Sequence, residues 1–129
     1  MSRKAKGMNA ERDLVHKFWN NEWSAIRVAG SGSMKYPAAD VLATNKARSL
    51  AIECKTSKDP IKYISHEDME QLKTFASLFN AEPWLAVKFN NQEWFFLNPE
   101  DITEKTEKAY CIRADTIQKK GVLFEEVIK

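Results

Sequence analysis

The sequence is short of several things that would define common classes of protein. No apolar run approaches the roughly 20 residues of a membrane-spanning helix, so no membrane association is expected. The opening Met-Ser-Arg-Lys-Ala-Lys has no apolar segment behind it, so no signal peptide is expected either. Cysteine is scarce: Cys54 and Cys111 have the spacing of neither a zinc site nor a disulfide framework. They read as reduced thiols of a cytosolic protein. His16 and His66 fit no catalytic pairing and read as surface or capping residues. Repeats, low-complexity tracts and long linkers are missing, and 129 residues suffice for one core, so residues 1–129 are expected to form a single domain.

Charge is present and unevenly placed. The first 62 residues carry 12 Lys/Arg against 6 Asp/Glu, and the remainder carry 8 against 12. A basic half inside a nearly neutral chain points toward a polyanionic partner, and that half also holds the motif discussed below.

The pattern predicts a helix over 8–21 with Asn9 as N-cap, its apolar face formed by Leu14, Val15 and Phe18. Glu11 shares that face, an unusual place for an acid. Strands are predicted at 24–29, 38–44 and 49–56, with a turn over 45–48 joining the last two. Residues 30–37 read as a loop with Ser31, Ser33 and Lys35 at its tip. Ser65 and Asp68 resemble a capping box for a helix to about residue 80, burying Met69, Leu72, Phe75, Ala76 and Phe79. Strands at 84–89 and 92–97 flank Asn90-Asn91, followed by weaker signals for a strand at 109–113 and a helical turn at 115–119. The order α-β-β-β-α-β-β implies an α/β or α+β fold with one mixed sheet flanked by helices.

Strand parity isolates the chemistry. Along 49–56, Leu50, Ile52 and Cys54 point one way, while Ala51, Glu53 and Lys55 point the other, with little bulk beside the charged pair. Asp40, on the preceding antiparallel strand, can approach Glu53 across the pair. Two adjacent carboxylates repel unless one is protonated or a cation lies between them. Mg²⁺ meets that need with oxygen ligands and retained waters, and the Cys54 carbonyl could add a further oxygen. Lys55 could orient or deprotonate an attacking water or stabilise charge on a phosphate, while Glu11 could hold a metal-bound water or a second ion. On parity alone, a Glu53–Lys55 salt bridge on a sheet face open to water is an equal alternative.

Asp40 followed by Glu53-Cys54-Lys55, behind an acidic first helix, resembles the PD-(D/E)xK nucleases, and most closely the archaeal-type Holliday junction resolvases. The similarity runs through Asn9-Ala10-Glu11-Arg12-Asp13-Leu14, Arg27-Val28-Ala29-Gly30-Ser31-Gly32-Ser33, Pro37-Ala38-Ala39-Asp40 and Ala51-Ile52-Glu53-Cys54-Lys55. It continues through Pro83–Phe89 and Gly121–Glu126. The resemblance implies a restriction-endonuclease-like fold and a Mg²⁺-dependent homodimer, with Mn²⁺ substituting, that nicks four-way DNA junctions symmetrically in recombination and repair. It implies catalytic roles for Glu11, Ser31, Asp40, Glu53 and Lys55. Metal ligation falls to Glu11, Asp40, Glu53 and the Cys54 carbonyl, and DNA contact to Arg3, Lys4, Arg12, Arg27, Ser33 and Lys35. A cytoplasmic, nucleoid-associated setting and partners from replication or recombination follow from the same likeness. The alternatives are a related nuclease acting on ordinary duplex and a non-catalytic DNA-binding module of the same fold. The continuously apolar Trp94-Phe95-Phe96-Leu97 suggests one strand face meeting a second subunit, while Trp84 and the aromatics of this run serve the core or that interface.

Overall fold

The computed structural model describes residues 3–30 and 35–129, with side chains from residue 7 onward. Ser31 and Ser33, expected to act at the scissile phosphate and in DNA contact, therefore lie outside the described residues, as do the side chains of Arg3 and Lys4.

Helix α1 (Arg3–Trp19) leads into strands β1 (Ser24–Arg27), β2 (Val41–Thr44), β3 (Ser49–Ser57) and β4 (Ile61–Ser65). Helix α2 (His66–Phe79), strands β5 (Glu82–Phe89) and β6 (Trp94–Leu97), a 3₁₀ turn (Pro99–Asp101) and strand β7 (Ala109–Arg113) follow. Helix α3 (Ala114–Lys120), strand β8 (Val122–Leu123) and helix α4 (Phe124–Val127) end the chain. The main sheet has the order β1-β2-β3-β5-β6-β8, and β4 pairs with β7 in a second, two-stranded sheet. Strands β3 and β5 run parallel at its centre, while the other pairs are antiparallel.

A parallel pair must be buried on both faces, because its crossover lays structure across the sheet. That is observed. Leu50 and Ile52 of β3 join Leu14 and Phe18 of α1 in one core cluster, with Phe124 beneath them. Ala51, Leu85 and Val87 join Met69, Leu72 and Ala76 of α2 in a second cluster on the opposite face. Phe18 is completely buried, 5.0 Å from the Phe124 ring and 5.6 Å from Trp23. Removing its ring would cost about 3–5 kcal/mol.

Helix α2 begins as the sequence indicates: the Ser65 hydroxyl accepts a hydrogen bond from the Asp68 amide at 3.0 Å. Asn80 closes it in the left-handed region, which asparagine tolerates better than most residues. At the other end of the sheet, the Arg48 guanidinium forks onto Glu82 with two 2.8 Å bonds and donates to the Val127 carbonyl at 2.7 Å. This ties the β2–β3 turn to β5 and to the C-terminal helix.

Several expectations need correction. Helix α1 starts at Arg3 rather than residue 8, leaving Asn9 inside it; the helix-favouring Arg, Lys and Ala of residues 3–6 outweigh asparagine's preference for a cap. Phe79 is 54 % exposed and Phe75 only partly buried, so the inward stripe of α2 narrows to Met69, Leu72 and Ala76. The Glu53 face of β3 is closed to water only at Ala51, which α2 covers; Glu53 and Lys55 are partly buried and do form the salt bridge, at 3.5 Å. The apolar run of β6 needs no second subunit to account for it. Trp94 and Phe96 fill the α1-side cluster, Leu97 fills the α2-side cluster, and β8 pairs with the strand's outer edge.

Candidate active site

The site forms where the sheet opens. Strand β2 pairs with β3 only as far as Val41 opposite Ile52, whereas β3 continues to Ser57 beside β5. Asp40 sits at the fork. Its backbone amide donates to the Ile52 carbonyl at 2.9 Å, and its carbonyl accepts from the Val28 amide at 2.8 Å. One step further along β3, the ladder partner is a side chain: the Cys54 amide donates to Asp40 Oδ2 at 2.9 Å. The amide and carbonyl of a strand residue face the same side, so the Cys54 carbonyl opens into the same gap.

Parity holds as read from the sequence. The Cys54 side chain packs on the α1-side cluster, which leaves Glu53 and Lys55 on the side of α2. Lys55 Nζ lies 3.5 Å from Glu53 Oε2 and 3.5 Å from Asp68 Oδ2 in the first turn of α2. Asp68 was legible in the sequence only as a capping residue. Its second role follows because helix α2 folds back over β3 with its first turn above Lys55. Glu11 arrives from the opposite side of the sheet on α1, with its nearest cation Arg27 at 4.0 Å. Its ion pair therefore runs to β1 rather than to Arg12 or Lys17 on its own helix.

Electrostatics marks the cluster as short of positive charge. Burial first, then the neighbouring Asp40, pushes the Glu53 carboxyl up to about 8, although Lys55 pulls it back down. The Glu53–Asp40 hydrogen bond adds to that rise. Burial and Asp40 likewise raise Glu11 to about 7, against the opposing pull of Arg27 and Lys55. For Lys55, burial works against the ammonium, but Glu53, Asp68 and Asp40 together outweigh it and lift it above the usual lysine range. Burial also pushes the Cys54 thiol well above its ordinary value. Both cysteines are free, and Cys54 offers the site a backbone group rather than a thiolate.

No three His, Cys, Asp or Glu side chains among the described residues are drawn together as a ready-made cation cage. The nucleus is a pair, Asp40 and Glu53, with Glu11 within its electrostatic field. This arrangement fits Mg²⁺, which uses few protein carboxylates and keeps its waters. The two carboxylates lie within hydrogen-bonding reach of each other, close enough for one divalent cation to serve both.

The proposed DNA-contact residues separate into groups. Arg12 and Lys35 are exposed, Lys35 with its ammonium 5.7 Å from the Tyr36 ring centre. Arg27 is partly buried and turned toward Glu11, so it borders the carboxylates rather than projecting freely.

Comparison with known proteins is consistent with this geometry. A family model described as archaeal Holliday junction resolvase (Hjc) matches residues 2–129. The crossover junction endodeoxyribonuclease Hjc of Archaeoglobus fulgidus is 43 % identical over 109 residues, covering 84 % of this chain and 79 % of that protein. Hjc of Sulfolobus acidocaldarius is 32 % identical over 131 residues, covering all of this chain and 90 % of its own. A solved structure of Archaeoglobus fulgidus Hjc superposes with a TM-score of 0.87 at 37 % identity, over 95 % of this chain and 100 % of that one. The chain belongs to the archaeal Holliday junction resolvase family.

Proposed function

We propose that this chain is a structure-selective endodeoxyribonuclease that binds four-way DNA junctions as a homodimer and nicks two opposed strands by Mg²⁺-dependent hydrolysis. The observation that carries the reading is the fork at Asp40. There the sheet ends in a carboxylate pair with a partly buried, doubly paired lysine beside it, in a chain of the resolvase family.

Asp40, Glu53 and the Cys54 carbonyl would hold the cation, with Glu11 placed for one of its waters. When bound, Mg²⁺ polarises a phosphoryl oxygen and lowers the pKa of a coordinated water. The protein's own groups do the positioning. Lys55, held between Glu53 and Asp68, keeps its charge and lies beside the carboxylates, where it stabilises negative charge growing on the phosphate. Of the roles open to it from sequence, its surroundings favour that of charged donor over that of base. Arg27 holds Glu11 on the side facing Asp40.

Paired nicks on a near two-fold substrate call for two copies of one site. The exposed apolar end of α2, with Leu78 85 % exposed and Phe79 stacked on Phe75 at 5.0 Å, offers an apolar patch for that pairing. The cytoplasmic nucleoid is the setting such a substrate implies.

The test separates binding from chemistry. Asp40→Asn should bind a fixed four-way junction in Ca²⁺ with affinity close to that of the unsubstituted protein, yet fail to cut it in Mg²⁺. Near-normal cutting would remove Asp40 from the reaction.

A further inference from the structure

A cleft with a volume of about 820 Å³ lies at the carboxyl ends of the parallel strands β3 and β5. Crevices at this end of parallel strands are where such sheets bind ligands. Its lining is the end of β3 and its turn (residues 54–59), Lys62 on β4 and the β5–β6 turn (88–93), with Ala10 at one side. Four lysines, Lys55, Lys58, Lys62 and Lys88, face two acids, Asp59 and Glu93.

We infer that this cleft is a second DNA-backbone site, which seats phosphates of the cut strand beyond the scissile bond, on the side away from Asp40. The inference rests on the proposed junction-cutting activity and extends it to residues outside the motif.

Three observations carry it. First, the cleft shares Lys55 with the active site, so a polyanion lying in it runs on from the phosphate being cut. Second, its charges are mounted on a hydrogen-bonded frame. Thr56 pairs with Lys88 and Ser57 with Phe89 across the parallel ladder. The Lys88 ammonium donates to the Gln92 carbonyl at 2.7 Å, and the Ser57 hydroxyl accepts from the Asp59 amide at 3.1 Å. These bonds fix both turns that wall the cleft. Third, lysines interspersed with threonine, serine and asparagine are the donors that hold phosphates without reading bases. The sheet order puts Arg27 on β1 at one side of the Asp40 fork and the cleft beyond β3 on the other. The lysine-lined cleft thus continues from the Asp40 fork on the side away from Arg27.

The experiment measures junction affinity against salt in Ca²⁺ for the full chain, Lys58→Ala, and Lys58→Ala/Lys62→Ala, with thermal melts as a check on folding. Each lost phosphate contact lowers the slope of log affinity against log salt by about 0.9. The double variant should therefore lose about 1.8 per copy and the single, in the exposed turn, about half that. Methylphosphonates placed on one side of the cut should weaken binding by the unsubstituted chain and have no further effect on the double variant. An unchanged slope in a folded variant would overturn the cleft's role, as would weakened binding with an unchanged slope. A cleft kept for an acidic protein partner would give the first of these results. If the unsubstituted chain itself bound no junction, the functional reading would fail first, and that outcome is visible without any variant.

Discussion

Glu53 should destabilise the metal-free protein, and its replacement should show by how much. Its carboxyl is raised from 4.5 to about 8 in the folded chain, a value that already includes the pull of Lys55. Below about pH 4.5 the group is neutral in both folded and unfolded states and carries no penalty. Between 4.5 and 8 the unfolded chain gives up the proton while the folded chain keeps it. Folding stability therefore falls by about 1.4 kcal/mol per pH unit over that window and is fully reduced above it. At pH 8 the ceiling is about 5 kcal/mol, and rearrangement of Lys55 with entry of water brings it to about 2 kcal/mol. Glu53→Gln keeps the shape and a hydrogen-bonding group for Asp40 while removing the charge. In EDTA at pH 8 the variant should melt about 8 °C higher than the unsubstituted chain, taking about 4 °C per kcal/mol for a domain of this size. At pH 4.5 the two should melt together. Added Mg²⁺ should raise the melting point of the unsubstituted chain by mass action and leave the variant unmoved. Scanning calorimetry at both pH values decides the matter. A variant that melts lower at pH 8, or that still gains stability from Mg²⁺, would refute the idea of a carboxylate pair that a divalent cation stabilises.

Two further outcomes follow from the same geometry. Asp68→Asn should reduce the single-turnover cutting rate roughly tenfold, within the usual effect of removing a partner that orients a reacting group, while junction affinity in Ca²⁺ stays the same. Asp68→Glu should recover much of the rate; an equal fall in rate and affinity would mean that Asp68 only supports helix α2. Leu78→Asp combined with Phe79→Asp should convert a dimer to a monomer by light scattering at micromolar concentration, because both side chains are more than half exposed and neither fills the core. A double variant that stays dimeric would move the interface elsewhere.

The sequence disclosed the site better than its setting. Alternation along residues 49–56 was enough to separate Glu53 and Lys55 from Leu50 and Ile52, because a strand's period of two is rigid. Glu11 stood out because an acid on an apolar helical stripe needs a reason. Strand β4 was invisible: Ile61–Ser65 is short and pairs with β7, nearly fifty residues away, so no local pattern announces it. The same long-range pairing hid Asp68, whose approach to Lys55 depends on where β4 delivers the start of α2. The alternation left open whether this face meets water, because Ala51 looks like a small surface residue until it joins Ile64 and Met69 in one buried cluster. The four-residue helix α4 escaped because residues 124–127 make barely one turn, yet Phe124 anchors the α1 side of the core.

The central claim is junction-selective, metal-dependent cutting, and one gel tests it. A fixed four-way junction and linear duplexes of the same arm sequences are incubated with the protein, with and without Mg²⁺. Paired nicks in opposed strands of the junction, only with Mg²⁺, and intact duplex are the expected result. Equal cutting of both substrates, or cutting that survives EDTA, would contradict it.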